Sequence, residues 1–449
     1  MYKFTKIIIP LTVLCLFITV LNGCKNSVEN SELPKYVPNV QWSLETETFG
    51  GTSRISQYNK YLYFVETNVS AENTTYHIAK IDLETGLYVW KSSDFIGYAL
   101  DNPIKCKNYV FLEKQDHNGN LANTIYCFSD FDGKLKATIT FGNSDKEKYA
   151  NRICNSTLYS VEDNYLIWSN GIIEKNDFSD YKFGILKIEI SDIDFSKPAE
   201  YEQYIKPEVL LELDRPIYTH FVNENSIVYY TTYSEFDDLP NCKTGAVDII
   251  TGNSYWERES SYMKGNGDYG LYILNDEYNN LINRIYSFEC FLGCYDKTNG
   301  DVIWEKIQTE DQIKNEVYLG GLIYNAGPFY NNGCFYYTTM ESFSGTDIYR
   351  AKNVVSNITC IDAKTGKLRW HYMPDNSASL YTRPIVANGK VFIFTYGQGL
   401  YVLDEKSGAV LGVDTSIYTK GFEKNALYNG NVIFFDFSSG YGVLKAIKP

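Results

Sequence analysis

The sequence predicts an all-β fold, a β-propeller of eight four-stranded antiparallel blades. Three observations predict it. A hairpin motif ending in tryptophan recurs along the chain, a second kind of tight turn precedes most of its copies, and a strand near the N-terminus supplies the piece that the last repeat lacks. The composition agrees, because 40 of the 449 residues are tyrosine, which suits half-buried strands.

The recurring motif has the form small-x-Asp-x-x-Thr-Gly-x-x-x-Trp. An alternating strand ends in the aspartate, whose side chain can bond the turn backbone, and the glycine supplies the positive φ of a short hairpin loop. The chain then returns as a strand that carries the tryptophan. Clear copies start at Lys80, Ala246, Cys294 and Cys360, and weaker copies start at Cys127 and Val402.

A second tight turn lies upstream of several copies. Asn332-Gly333, Asn388-Gly389 and Asn429-Gly430 are each followed by an apolar and aromatic strand, which is typical of two-residue hairpins. Each unit is therefore strand, tight turn, strand, variable loop, strand, motif turn, strand. Four antiparallel strands every 40 to 60 residues or so describe a propeller blade.

The units form one domain over residues 38–449. They fall near residues 50–93, 100–141, 155–205, 216–260, 268–308, 327–373, 384–414 and 425–449. The third unit lacks the motif, so seven blades remain an alternative if it is an insertion. The last unit stops after Leu444–Ile447, whereas Val40–Leu44 carries Trp42 with no hairpin before it. Pairing these two segments would close the ring and leave no open inner edge.

The N-terminus predicts export and a lipid anchor. Lys3 and Lys6 precede an apolar run, Ile7–Leu21, that is shorter than the roughly 20 residues of a membrane-spanning helix. Leu21-Asn22-Gly23-Cys24 resembles a lipobox, in which the cysteine is acylated and becomes the mature N-terminus. We therefore predict a lipoprotein signal peptide over residues 1–23, lipid at Cys24 and a polar tether over 24–37. An ordinary cleaved signal peptide is the alternative.

The charge excludes one class of partner. The chain carries a formal charge of −14, which becomes −16 without the two lysines of residues 1–23, and nucleic-acid binding needs clustered basic residues. The predicted location is the cell envelope, attached to a membrane through Cys24. The outer membrane is favoured, because Lys25-Asn26 lacks the aspartate that retains some lipoproteins in the inner membrane.

The repeats resemble the tryptophan-docking repeats of the pyrroloquinoline-quinone (PQQ)-like propeller family over residues 38–449. With the lipobox, the chain resembles the propeller lipoproteins of the outer-membrane β-barrel assembly machinery. In the PQQ-like family the tryptophan packs onto the neighbouring blade near the motif glycine. The resemblance implies this structural role for Trp42, Trp90, Trp256, Trp304 and Trp370.

The same family contains quinone-dependent dehydrogenases, which resemble one another in an adjacent Cys-Cys disulfide and a calcium site. This chain has ten cysteines but no Cys-Cys dipeptide, and its four histidines show no metal-ligand spacing. Cys127, Cys294 and Cys360 occupy the small motif position, where a buried thiol acts as a small apolar group. We therefore predict no enzyme activity, no metal and no cofactor.

The longer loops all belong to the second connection of a blade, and they should project from one face of the disc. Loops on a rigid scaffold often carry function, and aromatic residues and arginine contribute most to interfaces. Phe236, Phe343, Tyr349 and Arg350 are therefore the candidate binding residues. The predicted function is a non-catalytic, monomeric, lipid-anchored scaffold for protein partners in the cell envelope, with outer-membrane protein assembly implied by the resemblance. The alternatives are a ligand-binding or sensory propeller, for example for glycans, and a PQQ-dependent dehydrogenase.

Overall fold

The structure is a computed structural model of the 449-residue chain. It describes residues 33–46, 55–69, 74–96, 103–115, 121–141, 158–161, 164–175, 181–213, 217–222, 226–232, 241–261, 271–288, 292–306, 328–342, 354–373, 383–395, 399–419 and 425–449. These residues form eight sheets, one per blade, as predicted. Within these ranges the one helical segment is the short 3-10 turn Ile190–Asp192.

The first strand, β1 (Asn39–Glu45), does not belong to the first blade. Blade 1 contains β2 (Ile55–Tyr58), β3 (Tyr61–Val69), β4 (Thr74–Asp82) and β5 (Leu87–Lys91), with the short β6 (Phe95–Ile96) beside β4. Blade 2 contains β7 (Ile104–Cys106), β8 (Tyr109–Gln115), β9 (Leu121–Ser129) and β10 (Leu135–Phe141). Blade 3 contains β11 (Leu158–Val161), β12 (Tyr165–Lys175), β13 (Tyr181–Glu189) and, after β14 (Glu202–Ile205), β15 (Glu208–Leu213).

The next four blades each use four consecutive strands. Blade 4 contains β16 (Ile217–Val222), β17 (Ile227–Thr232), β18 (Asn241–Asp248) and β19 (Ser254–Ser261). Blade 5 contains β20 (Leu271–Asp276), β21 (Leu281–Phe288), β22 (Leu292–Asp296) and β23 (Val302–Lys306). Blade 6 contains β24 (Phe329–Asn331), β25 (Cys334–Ser342), β26 (Val354–Asp362) and β27 (Leu368–Tyr372). Blade 7 contains β28 (Ile385–Ala387), β29 (Lys390–Thr395), β30 (Gly399–Asp404) and β31 (Val410–Asp414).

Blade 8 closes the ring from both ends of the chain. Its strands are β32 (Ala426–Tyr428), β33 (Asn431–Asp436) and β34 (Val443–Lys448), and β1 is the fourth. The strands β1 and β34 are antiparallel, with Trp42 opposite Ala446. The predicted closure is therefore confirmed. The seven-blade alternative is wrong, because the third unit forms a complete sheet of its own.

Blade 3 departs from the predicted boundaries. We expected it to end near residue 205, but β14 pairs in parallel with β10 of blade 2, and the fourth strand of blade 3 is β15. The chain between β13 and β15 has no motif turn and crosses to blade 2 instead. There Phe195 stacks on Tyr109 with ring centroids 4.4 Å apart, and the Thr138 hydroxyl donates to the Ala199 carbonyl at 2.9 Å.

The core lies between the blades, since both faces of each sheet are covered by a neighbour. Along β3, Tyr63 and Val65 pack with blade 2, whereas Leu62 and Phe64 pack with blade 8. Phe64 meets Phe435 of blade 8 edge-on, with centroids 5.4 Å apart. Strands buried on both faces tend towards continuous apolar runs rather than alternation, which explains the weak period-two signal in the inner strands.

The strand order gives the disc two different faces. The strand ends that the first and third connections of a blade join lie on one side, which we call the turn face. The strand ends that the second connections join, and those that the links between blades join, lie on the other side, which we call the loop face. The second connections are residues 70–73, 116–120, 176–180, 233–240, 289–291, 343–353, 396–398 and 437–442.

Candidate interaction surface

The candidate binding residues Phe236, Phe343, Tyr349 and Arg350 lie outside the described residues, as does Cys24. Their attachment points are described. Residues 233–240 connect β17 to β18 in blade 4, and 343–353 connect β25 to β26 in blade 6. Both connections therefore leave the loop face. The strands β25 and β26 pair as far as Ser342 and Val354.

The five motif tryptophans lie at blade junctions. In each case the indole N–H donates to a backbone carbonyl in the motif turn of the next blade, one residue after the aspartate position. The donor and acceptor pairs are Trp42 to Leu83 at 3.2 Å, Trp90 to Asp130 at 2.8 Å, Trp256 to Lys297 at 3.0 Å, Trp304 to Ala363 at 3.1 Å and Trp370 to Glu405 at 2.9 Å. One geometry thus recurs at five of the eight junctions.

Two features of the motif turn require glycine: its positive φ and the close approach of an indole ring. Gly86 has a φ of +70°, and a Cβ there would lie 2.5 Å from the Trp42 ring. A Cβ at the equivalent glycine would lie 2.6–2.7 Å from the docked ring in the four other cases, which are Gly133, Gly300, Gly366 and Gly408. The residue therefore permits both the left-handed turn and the close approach of the indole.

Blade 3 has no docking tryptophan, and a lysine occupies its junction with blade 4. Lys187 Nζ donates to the Ile249 carbonyl at 3.0 Å, and Ile249 follows the motif residue Asp248. The ammonium also pairs with Glu208 at 2.6 Å, although the Lys187 side chain is buried. The acceptor carbonyl thus keeps its position within the repeat, and in blade 3 its donor is an ammonium. At the junction of blades 1 and 2 the carbonyl at this position, that of Asp130, accepts from both Trp90 and Lys80, at 2.8 and 3.0 Å.

A buried charged cluster lies in blade 1, on the loop-face side of its strands. The Glu66 carboxylate is fully buried and accepts from Tyr88 Oη at 2.6 Å, lies 2.8 Å from Lys91 Nζ and lies 2.6 Å from His77 Nε2. Burial alone would raise the pKa of Glu66, but these three partners outweigh burial and lower it to about 2. Glu66 therefore stays ionised near neutrality, which suits a structural ion network better than proton transfer.

A second buried carboxylate stabilises the loop face of blade 8. Asp436 pairs with Lys445 at 2.5 Å and accepts from the backbone N–H groups of Tyr418 and Ser438. Burial opposes ionisation, yet the lysine and the N–H donors lower the pKa of Asp436. Sequence reasoning missed both networks, although Glu66 and Asp436 each follow an apolar run and could have been recognised as buried acids.

The turn face carries isolated exposed aromatic residues. Phe131 is 91% exposed at the β9–β10 turn and Tyr278 is 95% exposed at the β20–β21 turn. Single exposed apolar side chains are ordinary on protein surfaces, so we do not assign them a site. They provide matched controls for substitutions on the opposite face.

The chain resembles known propellers at two levels. Residues 291–414 match a family model described as outer membrane protein assembly factor BamB. The predicted resemblance to PQQ-like propellers is confirmed. No curated protein matches the chain by sequence. The sequence match covers the end of blade 5, blade 6 and blade 7.

Solved structures show the same fold over nearly the whole chain. BamB from Moraxella catarrhalis aligns with a TM-score of 0.54 at 10% identity, covering 92% of this chain and 98% of that one. Quinohemoprotein alcohol dehydrogenase from Comamonas testosteroni aligns with a TM-score of 0.58 at 12% identity, covering 93% and 78%. Sqt1 from Saccharomyces cerevisiae aligns with a TM-score of 0.55 at 9% identity, covering 92% and 100%. At these identities the similarity establishes the fold alone.

The described residues contain no group of three or more His, Cys, Asp or Glu side chains that could hold a metal ion. The motif residues Cys127, Cys294 and Cys360 are buried free thiols. The sequence also lacks an adjacent cysteine pair. In the same part of the chain, no helix has the length and apolarity needed to cross a membrane.

Proposed function

We propose that this chain is a non-catalytic scaffold of the bacterial cell envelope that binds a protein partner through the loop face. The observation that carries the proposal is the difference between the two faces. The turn face is built mainly from tight hairpins, whereas all second connections and inter-blade links leave the loop face. Variable segments on a rigid ring are a suitable binding surface.

The proposal includes a membrane anchor and a process. Lipid at Cys24 would hold the propeller at a membrane, most favourably the outer membrane. The match of residues 291–414 to the BamB family model supports a role in outer-membrane protein assembly. A Cys24→Ser variant should move from the membrane fraction to the soluble fraction after export. Unchanged membrane retention would contradict the lipid anchor while leaving the scaffold proposal intact.

The interaction is tested by crosslinking in cells followed by co-purification. We expect the amount of partner recovered to fall at least about tenfold in a variant with four alanine substitutions, at Phe236, Phe343, Tyr349 and Arg350. The reason is that aromatic residues and arginine dominate interface energies. The matched control replaces the turn-face residues Phe131 and Tyr278 by alanine. Equal recovery with both variants would contradict the proposed surface.

The alternatives have separate readouts. Calcium-dependent dye reduction after addition of PQQ would replace the scaffold proposal by a dehydrogenase. A rise in melting temperature with a glycan, without partner recovery, would replace it by a ligand-binding propeller. We expect neither result.

A further inference from the structure

The junction between blades 7 and 8 lacks a docking tryptophan. In blade 7 the residue four positions after the motif glycine, Gly408, is Gly412. Gly412 pairs across the sheet with Val402, just as Trp370 pairs with Cys360 in blade 6. Blade 7 therefore has a glycine at the tryptophan position, and this residue has no side chain to fill the junction.

The segment Pro34–Tyr36, which the sequence assigned to the tether, lies along this strand. The Tyr36 N–H donates to the Val413 carbonyl at 2.9 Å, and the Val413 N–H donates to the Pro34 carbonyl at 2.8 Å. A Cβ on Gly412 would lie 3.0 Å from the Tyr36 Cβ and 3.1 Å from the Pro34 oxygen. The absence of a side chain at Gly412 is thus what gives the segment room.

Tyr36 occupies the place of the missing indole. Its ring lies 6.1 Å from the Phe392 ring at 73°, and Phe392 pairs across the sheet with Val402. In four other blades the docking tryptophan lies at the same distance from the aromatic residue in the equivalent position. These pairs are Tyr63–Trp90 at 6.2 Å, Tyr229–Trp256 at 6.1 Å, Tyr286–Trp304 at 6.1 Å and Tyr336–Trp370 at 5.9 Å.

We infer that Gly412, Val413 and Phe392 form an aromatic-docking site on blade 7 whose ligand is an extended, tyrosine-bearing strand. The chain fills this site with its own segment Pro34–Tyr36, which we call the strap. The ring of Tyr36 packs against the core between blades 7 and 8, and burial raises the pKa of its hydroxyl. The strap lies outside the repeats and thus provides the docking residue that blade 7 lacks.

The strap is held by few contacts, which makes it separable from the ring. Lys35 is exposed, Val37 is 73% exposed, and the Tyr36 ring packs against the junction core, with Lys390 Nζ 5.9 Å from its centroid. A cavity of about 310 Å³ remains beside the strap, lined by Val40, Ile417, Phe434 and Ile447 among others. One aromatic side chain and two backbone hydrogen bonds therefore carry the docking.

The first test compares Tyr36→Ala with Val37→Ala in the full chain by hydrogen exchange of peptides covering residues 410–414. We expect Tyr36→Ala to speed exchange at Val413 at least about tenfold and to lower the melting temperature, because the strap leaves. Val37→Ala should match the wild type in both measurements. The inference is overturned if Tyr36→Ala leaves Val413 as protected as Val37→Ala does.

The second test restores the tryptophan within the repeat. The double variant Tyr36→Ala with Gly412→Trp should regain most of the lost melting temperature, while the amides of residue 36 and Val413 keep exchanging fast, since the indole excludes the strap. Gly412→Trp in the wild-type background should also release the strap. A double variant no more stable than Tyr36→Ala would show that this position is not a docking site.

Discussion

At two blade junctions a residue of another type takes the place of the docking tryptophan. Lys187 donates to Ile249 where other blades use an indole, and Tyr36 stands where Gly412 leaves no side chain. At these two junctions a donor or a ring of another residue type is present instead of the indole. This tolerance explains why repeats with weak motifs still form complete blades.

At the residue scale, Glu66 predicts a pH-dependent contribution to stability. Its pKa is about 2 in the folded chain, below the ordinary value of 4.5, so its stabilisation is fully present above about pH 4.5 and is lost as the pH falls towards 2. Glu66→Gln should lower the free energy of unfolding by about 3 kcal/mol at pH 7, from the size of this shift. The gap from wild type should shrink as the pH falls from 4.5 to 2.

Denaturant unfolding at several pH values measures this effect. Glu84→Gln is the matched control, because Glu84 is an exposed acid in the same blade. A gap that stays constant between pH 7 and pH 2.5 would mean that the Glu66 network contributes by packing and not by charge.

At the scale of the strand, the docking motif joins a local turn to a distant blade. The hairpin turn forms from residues close in sequence, but the glycine in it also receives a tryptophan from the preceding blade. Each junction thus couples two sheets that fold from separate stretches of chain. Loss of one tryptophan should weaken two blades together.

Trp304→Ala tests this coupling. The variant should lose about 3 kcal/mol of unfolding free energy, because it removes a large packed ring and the hydrogen bond to Ala363. Val302→Ala, on the same strand but 41% exposed, should change stability by less than about 0.5 kcal/mol. Similar losses in the two variants would argue against docking as the source of stability.

At the scale of the whole molecule, ring closure depends on one strand pair. The strand β1 comes from the N-terminal end of the propeller and β34 from the C-terminal end, so their pairing joins residues about as distant as the sequence allows. Closing such a long loop is entropically costly, and a covalent link there should give a large gain.

A disulfide across this pair provides the test. Glu45 and Val443 are directly opposite in the register, and replacing both by cysteine should raise the melting temperature in the oxidised form by an amount equivalent to about 2–5 kcal/mol. Reduction of the same variant is the control. Thiol titration shows whether the disulfide has formed completely. If the fully oxidised form then had the same melting temperature as the reduced form, ring closure by β1 and β34 would not limit the stability of the propeller.

The sequence by itself determined the blade repeat, because the turn chemistry that marks each unit is local. It also predicted eight blades, with seven as the alternative, and the pairing of the two ends, because one end carries a tryptophan strand without a hairpin and the other end lacks such a strand. Only the tertiary structure decided what fills the junctions without tryptophan. The crossing of β14 to blade 2, the use of Lys187 and the docking of Tyr36 beside Gly412 depend on residues brought together from distant parts of the chain. A glycine or a lysine in a strand carries no local sign of the neighbour that will complete its site, so packing across blades had to reveal it.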